Sequence, residues 1–181
     1  RPPRSTLFPY TTLFRSEPGA RGLGEKIREI LLNYDGEVSS RAEAFMFLAD
    51  RAQHIDVIVN PAIKSGKIVL CDRHTDSSVA YQGYGRRLDI DEIKRLNSIA
   101  TNGKKPDMTL IFDIDVETSM ARVGDTKDRM ESAGIEFFNR VRNGYMEIAK
   151  QEPNRVKVLD ASKSIEEIHK NVIALYEKLN G

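Results

Sequence analysis

The sequence lacks the features that define several large classes of protein. Its one cysteine, Cys71, offers neither a disulfide nor a set of zinc ligands, and we interpret it as a small buried apolar residue. No apolar run approaches the ~20 residues that span a bilayer. With 28 Lys and Arg against 27 Asp and Glu, the formal net charge of +1 argues against nucleic acid as the main partner. Length and composition therefore agree with one cytoplasmic domain that has no membrane span and whose main partner is not nucleic acid.

The chain alternates between helical and extended patterns. Short apolar runs predict strands at Ile68–Cys71, Thr109–Ile114 and Val156–Leu159. Helical periodicity predicts helices over 24–33, about 40–59, about 91–101, 135–151 and 165–179. A further helix is predicted after the second strand and ends near residue 122. Ser39 or Ser40 can cap the second of these helices, which we expect to end before Pro61. This alternation predicts an α/β fold with a parallel sheet covered by helices on both faces.

The most informative segment follows the first predicted strand and reads Asp72-Arg73-His74-Thr75-Asp76-Ser77-Ser78-Val79-Ala80-Tyr81-Gln82-Gly83. Open α/β sheets bind their ligands at the carboxyl ends of the strands. A guanidinium such as that of Arg73 can bind two phosphate oxygens at once, whereas neutral hydroxyl and amide groups suit a polar ring. The segment therefore predicts a nucleotide site. The simpler alternatives are a structural Asp72–Arg73 pair, or an aspartate that caps a turn.

A second candidate group lies on the helix that begins near Ser40. Phe47, Arg51 and His54 are spaced by four and then three residues, so they share a helix face. We expect a separate apolar stripe to face the core: Phe45, Leu48, Ala52, Ile55 and Val59. A phenylalanine outside that stripe can stack on a pyrimidine while the arginine donates to a ring carbonyl. The alternative is an ordinary core phenylalanine, and we expect His54 to be only a neighbour.

Together with these residues, the segment from Asp72 to Arg86 resembles the signature of the thymidylate kinase family. Other parts of the chain resemble the same family in the same order: Glu17–Gly19 with Gly24–Leu32, Arg41–His54, Lys105–Asp113, Asp128–Glu131 and Phe137–Tyr145. The resemblance covers residues 17–181 as a single domain. It implies a P-loop nucleoside monophosphate kinase-like fold of three layers. It also implies a homodimer that phosphorylates dTMP to dTDP with ATP and Mg²⁺ in dTTP synthesis.

The resemblance also implies roles for individual residues. At the thymine ring, Phe47 is expected to stack on the base, Arg51 to contact its exocyclic oxygen, and Ser78 and Gln82, assisted by Ser77, to contact the ring edge. At the phosphate, the resemblance implies Arg73 and Arg28. Tyr81 is expected to pack against the deoxyribose. Glu17 is expected near the sugar or the magnesium shell, and Asp72 near magnesium or the transferred phosphate. Arg28 can instead be a solvated charge, and Tyr81 a structural side chain.

A mobile lid is expected over about residues 124–134, because this polar stretch is flanked by glycines and contains basic residues. Its expected catalytic cations are Arg129, Lys127 and, just before it, Arg122. On the helix that follows, Arg140 and Arg142 either reach the site or face water.

A phosphate-binding loop is missing from this sequence. The family's ATP site needs a strand followed by Gly-x-x-x-x-Gly-Lys-Ser/Thr, and this pattern occurs nowhere in the chain. In its place stands Arg1–Ser16, of which Thr6–Ser16 matches the translation of a widely used sequencing-library adapter. We interpret Arg1–Ser16 as artefactual and exclude it from the fold; a divergent or targeting N-terminus is the alternative. Of the five strands that the resemblance implies, three are then recognisable.

Three hypotheses for function follow. The first is a thymidylate kinase, and the second is a kinase with broader specificity for pyrimidine nucleoside monophosphates. The run Ser-Ser-x-Ala-Tyr-Gln favours dTMP over other acceptors. The third is a protein that binds dTMP without catalysis because it has no phosphate loop. For a chain of these residues alone, we expect binding without ATP turnover.

Overall fold

The structure is a computed structural model that describes residues 12–19, 22–123 and 133–180. Its strands are β1 (Thr12–Ser16), β2 (Ile68–Asp72), β3 (Thr109–Asp113) and β4 (Val156–Asp160). Its helices are α1 (Leu23–Asn33), α2 (Ser40–His54), α3 (Asn60–Lys64), α4 (Thr75–Ser78), α5 (Ile90–Ala100), α6 (Val116–Val123), α7 (Ile135–Gln151) and α8 (Ile165–Asn180). Two π-helical segments, Ile55–Val59 and Val79–Gly85, continue α2 and α4. The elements alternate as predicted, and the α/β class is confirmed.

The described strands form two parallel pairs rather than one sheet. β1 pairs with β2 from Thr12 opposite Ile68 to Ser16 opposite Asp72, and β3 pairs with β4 in the same way. Parallel neighbours need a crossover connection, and helices supply it in both pairs. β1 lies inside the segment that the sequence analysis excluded, so the structure contains a strand that we did not predict. The adapter origin of that segment stays a prediction.

Local signals explain where several helices begin and end. The hydroxyl of Ser39 accepts a hydrogen bond from the Ala42 N–H at 3.3 Å and caps α2. The carboxylate of Asp89 caps α5 in the same manner, accepting from the Glu92 N–H at 2.8 Å. The bounds of α7 are those predicted, because its apolar spacing is regular over four turns.

Two predictions about helices were wrong. We expected the second helix to end before Pro61, but helical structure continues through the π segment into α3. Pro61 lies in the first turn of α3, where a proline needs no helical N–H partner. We also predicted no helix in the signature after β2, whereas residues from Thr75 to Gly85 are helical.

The core lies mainly between the Val79–Gly85 segment, α5 and α7. Its buried residues are Ala44, Val79, Ala80, Ile93, Ile111, Phe137, Val141, Ile148 and Val156. Of the stripe predicted on α2 and its continuation, Leu48, Ile55 and Val59 are buried. Phe45 is 58% exposed, so its assignment to the core was wrong. Among the described residues, no helix is both long and apolar enough to cross a membrane.

One buried cluster ties the signature helix to the second strand pair. Arg155, just before β4, donates to both carboxylate oxygens of Asp76 on α4, at 2.7 and 2.8 Å. The Thr109 hydroxyl, at the start of β3, donates to the same carboxylate at 2.7 Å. A bidentate arginine–carboxylate pair fixes orientation as well as distance, so α4 is held against both β3 and β4.

We predict that Gly144→Ala destabilises the protein by about 1–3 kcal/mol. Gly144 lies on α7 where that helix meets Tyr84, and an added Cβ would lie 2.7–2.9 Å from side-chain atoms of Tyr84 next to its backbone. Helix propensity alone predicts the opposite sign, a gain of about 1 kcal/mol. Urea unfolding of both proteins measures the difference, and a stabilised variant would show that this contact is loose.

Candidate active site

A cavity of about 460 Å³ opens at the carboxyl ends of β2 and β3, a volume typical of small-molecule sites. Six residues that the sequence analysis assigned to dTMP binding or catalysis line it together: Glu17, Arg28, Phe47, Asp72, Arg73 and Tyr81. A more open groove of about 560 Å³ between α7 and β4 contains none of the predicted residues. The first cavity is therefore the candidate site.

Arg73 is held in place at the edge of this cavity. Its backbone has a φ of 66°, a left-handed conformation that is uncommon outside glycine and concentrates at functional sites. Its guanidinium carbon lies 4.8 Å from the centroid of the Tyr81 ring, within range of a cation–π interaction. The rings of Phe138 and Tyr145 pack edge-on against Tyr81, at 6.5 and 6.4 Å between centroids. The planar cation is thus supported by an aromatic cluster.

Glu17 forms a buried ion pair at the cavity wall. Its carboxylate accepts from the Arg51 Nε at 2.8 Å, and each of the two side chains is only 1% exposed. Its other oxygen lies 2.7 Å from the Nδ1 of His54, which is also buried. Burial alone would raise the pKa of Glu17, but the charge of Arg51 and the hydrogen bond with His54 outweigh it and lower the pKa. Glu17 is therefore ionised and structural in this arrangement.

Arg51 is almost fully committed to protein partners. Besides Glu17, its guanidinium donates to the Ser78 hydroxyl at 2.7 Å, the Asn97 side-chain oxygen at 2.6 Å and the His74 carbonyl at 3.1 Å. These four bonds leave one of its five N–H donors. Arg51 does not line the cavity, and only one of its donors is left for the contact with thymine that we expected. Asn97 was not predicted to belong to the site, and its only signal in the sequence is its place one turn after Ile93 on the buried face of α5.

The three side chains expected at the thymine ring edge point elsewhere. Ser78 is buried against Arg51, and the Ser77 hydroxyl accepts from Tyr145 at 2.8 Å. Gln82 is also buried and donates to Glu43 at 3.1 Å. None of the three lines the cavity, so the structure does not bring them together with Phe47 and Arg73.

His54 and His74 complete the buried network around Glu17. His54, which we expected to be only a neighbour of the binding residues, bonds directly to Glu17 and does not line the cavity. The Nε2 of His74 lies 3.8 Å from Glu17, a distance that would suit an ion pair. Burial, opposed by Glu17, lowers the pKa of His74 to about 4, so His74 is neutral at pH 7 and this contact is not ionic.

Asp72 is a better candidate ligand for Mg²⁺ than the group formed by Glu17, His54 and Cys71. Mg²⁺ takes oxygen ligands, usually one or two carboxylates with phosphate oxygens and water. Asp72 is exposed at the end of β2 and lines the cavity. Ligand atoms of Glu17, His54 and Cys71 do lie within 4.8 Å of one another. However, both Glu17 oxygens are already bonded, and burial raises the pKa of the Cys71 thiol and keeps it protonated.

The predicted lid falls largely outside the described residues. Lys127 and Arg129 lie outside the described residues. Arg122 is described, and it is exposed, donates to the Ala161 carbonyl at 3.4 Å and does not line the cavity. By contrast, Arg142 lines the cavity and forms a bidentate pair with Asp113 at 2.6 and 2.9 Å. Of the two open alternatives for Arg142, the structure favours reaching the site; Arg140 instead donates to the Gly85 carbonyl.

We predict that Glu17→Gln destabilises the protein by about 3–5 kcal/mol, because it leaves the buried Arg51 cation without its anion. The matched control is Glu147→Gln, which breaks an exposed pair with Lys150 that is shorter, at 2.6 Å, and should cost less than about 1 kcal/mol. Urea unfolding at neutral pH compares both variants with the parent. Equal losses in the two variants would contradict a special role for the buried pair.

We predict that the unfolding free energy falls as the pH is lowered from about 7 to about 5. His74 has a pKa of about 4 in the fold, against 6.5 as the ordinary value. Between these values the unfolded chain binds a proton that the folded protein does not, so acid favours unfolding. His74→Asn should flatten the slope in urea titrations, while replacing the exposed His169 should not. An unchanged slope in His74→Asn would assign the pH dependence to other groups.

Comparison with known proteins identifies the family. Residues 8–172 match the sequence model of the family described as thymidylate kinase. The thymidylate kinase of Desulfovibrio desulfuricans is 44% identical over 162 residues, which cover 84% of this chain and 75% of that protein. The enzyme of the same name from Pelotomaculum thermopropionicum is 45% identical over 171 residues, covering 92% and 79%. The crystal structure of thymidylate kinase from Ehrlichia chaffeensis superposes with a TM-score of 0.75 at 34% identity, covering 92% of this chain and 80% of that one. The chain belongs to the thymidylate kinase family.

Proposed function

We propose that the cavity binds dTMP, and that the reaction it serves is phosphorylation of dTMP to dTDP with ATP and Mg²⁺. The observation that carries this proposal is the position of Arg73. Its cation is fixed at the carboxyl end of β2, over Tyr81, in the same cavity as Phe47 and Arg28. A fixed guanidinium and a half-buried aromatic ring in one cavity suit a ligand with a phosphate at one end and a flat base at the other.

In this proposal the side chains act mainly by binding and orientation. Arg73 holds two phosphate oxygens of dTMP, and Arg28, anchored through its bond to the Pro18 carbonyl at 2.8 Å, adds a second positive charge. Phe47 stacks on thymine, while Tyr81 packs against the sugar. Phosphoryl transfer needs an in-line approach with the negative charge neutralised, so positioning and charge contribute more than a strong base.

Asp72 is the residue that we propose holds Mg²⁺. The ion, when bound with ATP, neutralises charge on the transferring phosphoryl group. The Asp72 carboxylate accepts one long hydrogen bond from Ser16, at 3.4 Å, and otherwise faces the cavity. The identities of the lid cations, Arg129 and Lys127, also stay proposals from the family resemblance, as do the homodimer and the cytoplasmic location.

The second candidate is a protein that binds dTMP without turnover. The observation that favours it is the absence of Gly-x-x-x-x-Gly-Lys-Ser/Thr from this sequence. That motif cradles the ATP phosphates with backbone amides, and phosphoryl transfer from ATP needs the donor phosphates held in this way. We therefore propose that a chain of these residues alone binds dTMP and transfers no phosphate. Titration with dTMP, dUMP, CMP and AMP, followed by an ATP turnover assay, separates this candidate from both kinase hypotheses.

We predict that Arg73→Ala weakens dTMP binding by about tenfold to a hundredfold, because it removes a charge-assisted bidentate contact. Arg73→Lys keeps the charge without the fork and should give an intermediate affinity. Isothermal titration of each variant measures the change. The matched control is Arg95→Ala, which removes an exposed arginine of α5 that does not line the cavity. Equal binding by the parent and Arg73→Ala would remove the basis of the proposed function.

A further inference from the structure

Arg142 presents an ordered guanidinium to the cavity. It lies on α7, and its Nε and Nη2 donate to the two carboxylate oxygens of Asp113 at the end of β3, at 2.6 and 2.9 Å. The hydrogen bonds from Arg142, together with its charge, lower the pKa of Asp113. The carboxylate therefore stays ionised and the pair stays formed. Both residues line the same cavity as Arg73. The pair therefore forms part of the wall facing a ligand.

The bidentate geometry leaves donors on Arg142 for a ligand. A guanidinium has five N–H groups, and Asp113 accepts from two of them. Within residues 12–19, 22–123 and 133–180, no acceptor is recorded for its Nη1 group, and 41% of the side chain is accessible. Arg51 differs, since it is 1% exposed and has four protein acceptors. Arg142 is therefore oriented but not saturated.

The position of Arg142 relates it to the phosphate end of the site. Arg142 and Tyr145 are three residues apart on α7, so their side chains share a face of that helix. The Tyr145 ring packs edge-on against Tyr81, and Arg73 lies over the Tyr81 ring. The two guanidinium groups therefore border one aromatic wall. The three strong acceptor oxygens of a phosphate monoester can accept hydrogen bonds from more than one guanidinium.

We propose that Arg142 is a third arginine, besides Arg73 and Arg28, that contacts the phosphate of dTMP, and that Asp113 is the residue that positions it. This inference rests on the proposed function, because it assigns a residue to the same bound nucleotide. Asp113 offsets much of the charge of Arg142, so the contact depends on the directed N–H donors of a fixed fork rather than on net charge. A lysine at this position would supply charge without that fork.

The test compares two ligands that differ only in the phosphate. The affinities of dTMP and thymidine are measured by isothermal titration for the parent chain, Arg142→Ala, Arg142→Lys and Lys150→Ala. Lys150 is the control because it is an exposed cation of the same helix, paired with Glu147 and outside the cavity. We expect Arg142→Ala to weaken dTMP binding by about tenfold or more, and thymidine binding by less than about twofold. Arg142→Lys should fall between the parent and the alanine variant.

The outcomes separate this inference from the proposed function. If the parent binds neither ligand, both the proposed function and this inference fail. If the parent binds dTMP and Arg142→Ala weakens dTMP and thymidine equally, Arg142 only shapes the cavity and the inference fails alone. An unchanged dTMP affinity in Arg142→Ala also overturns the inference, because Arg142 then does not contact dTMP. A thermal unfolding midpoint for each variant shows that the binding changes are not losses of folded protein.

Discussion

The buried ion pair between Glu17 and Arg51 is the interaction on which the arrangement of this site depends. Removing two charges from water costs several kcal/mol per ion, so such a pair persists only when its remaining hydrogen-bonding groups are satisfied. Here His54 bonds to the carboxylate, while Ser78 and Asn97 accept from the guanidinium. These partners come from α2, α4 and α5, and Glu17 directly follows β1. One network therefore fixes three helices against the end of a strand.

This network also divides the predicted residues into two groups. The polar atoms of Arg51, Ser78 and Glu17 are bonded within this buried network, whereas Phe47 and Arg73 lie outside it at the cavity. The first group is what makes the second precise in position, since Glu17 donates its backbone N–H to the Asp72 carbonyl at 2.9 Å, immediately before Arg73. A residue type that suits a base edge is thus not enough to assign a contact. A buried partner with opposite charge competes for the same donors.

The sequence predicted the features that depend on local pattern. Periodicity predicts the bounds of α7, and a short apolar run predicts β2. The grouping of Phe47 with Arg73 follows from a recognisable signature. Contacts between distant segments were not predictable in the same way. Nothing within a few residues of Glu17 indicates that it pairs with Arg51, 34 positions later. Phe45 shows the limit of periodicity, because a stripe identifies a helix face but not what covers it.

Binding the acceptor and transferring a phosphoryl group are separable tasks in this architecture. Each cation proposed to bind the acceptor phosphate is oriented by a neighbour within the described residues: Arg73 by Tyr81, Arg142 by Asp113, Arg28 by the Pro18 carbonyl. None of these contacts involves a phosphate loop. Transfer additionally needs backbone amides that hold the donor phosphates in line with the acceptor. The residues proposed to bind dTMP are held in place without a phosphate loop. Loss of that loop should therefore abolish turnover while leaving the affinity for dTMP largely intact.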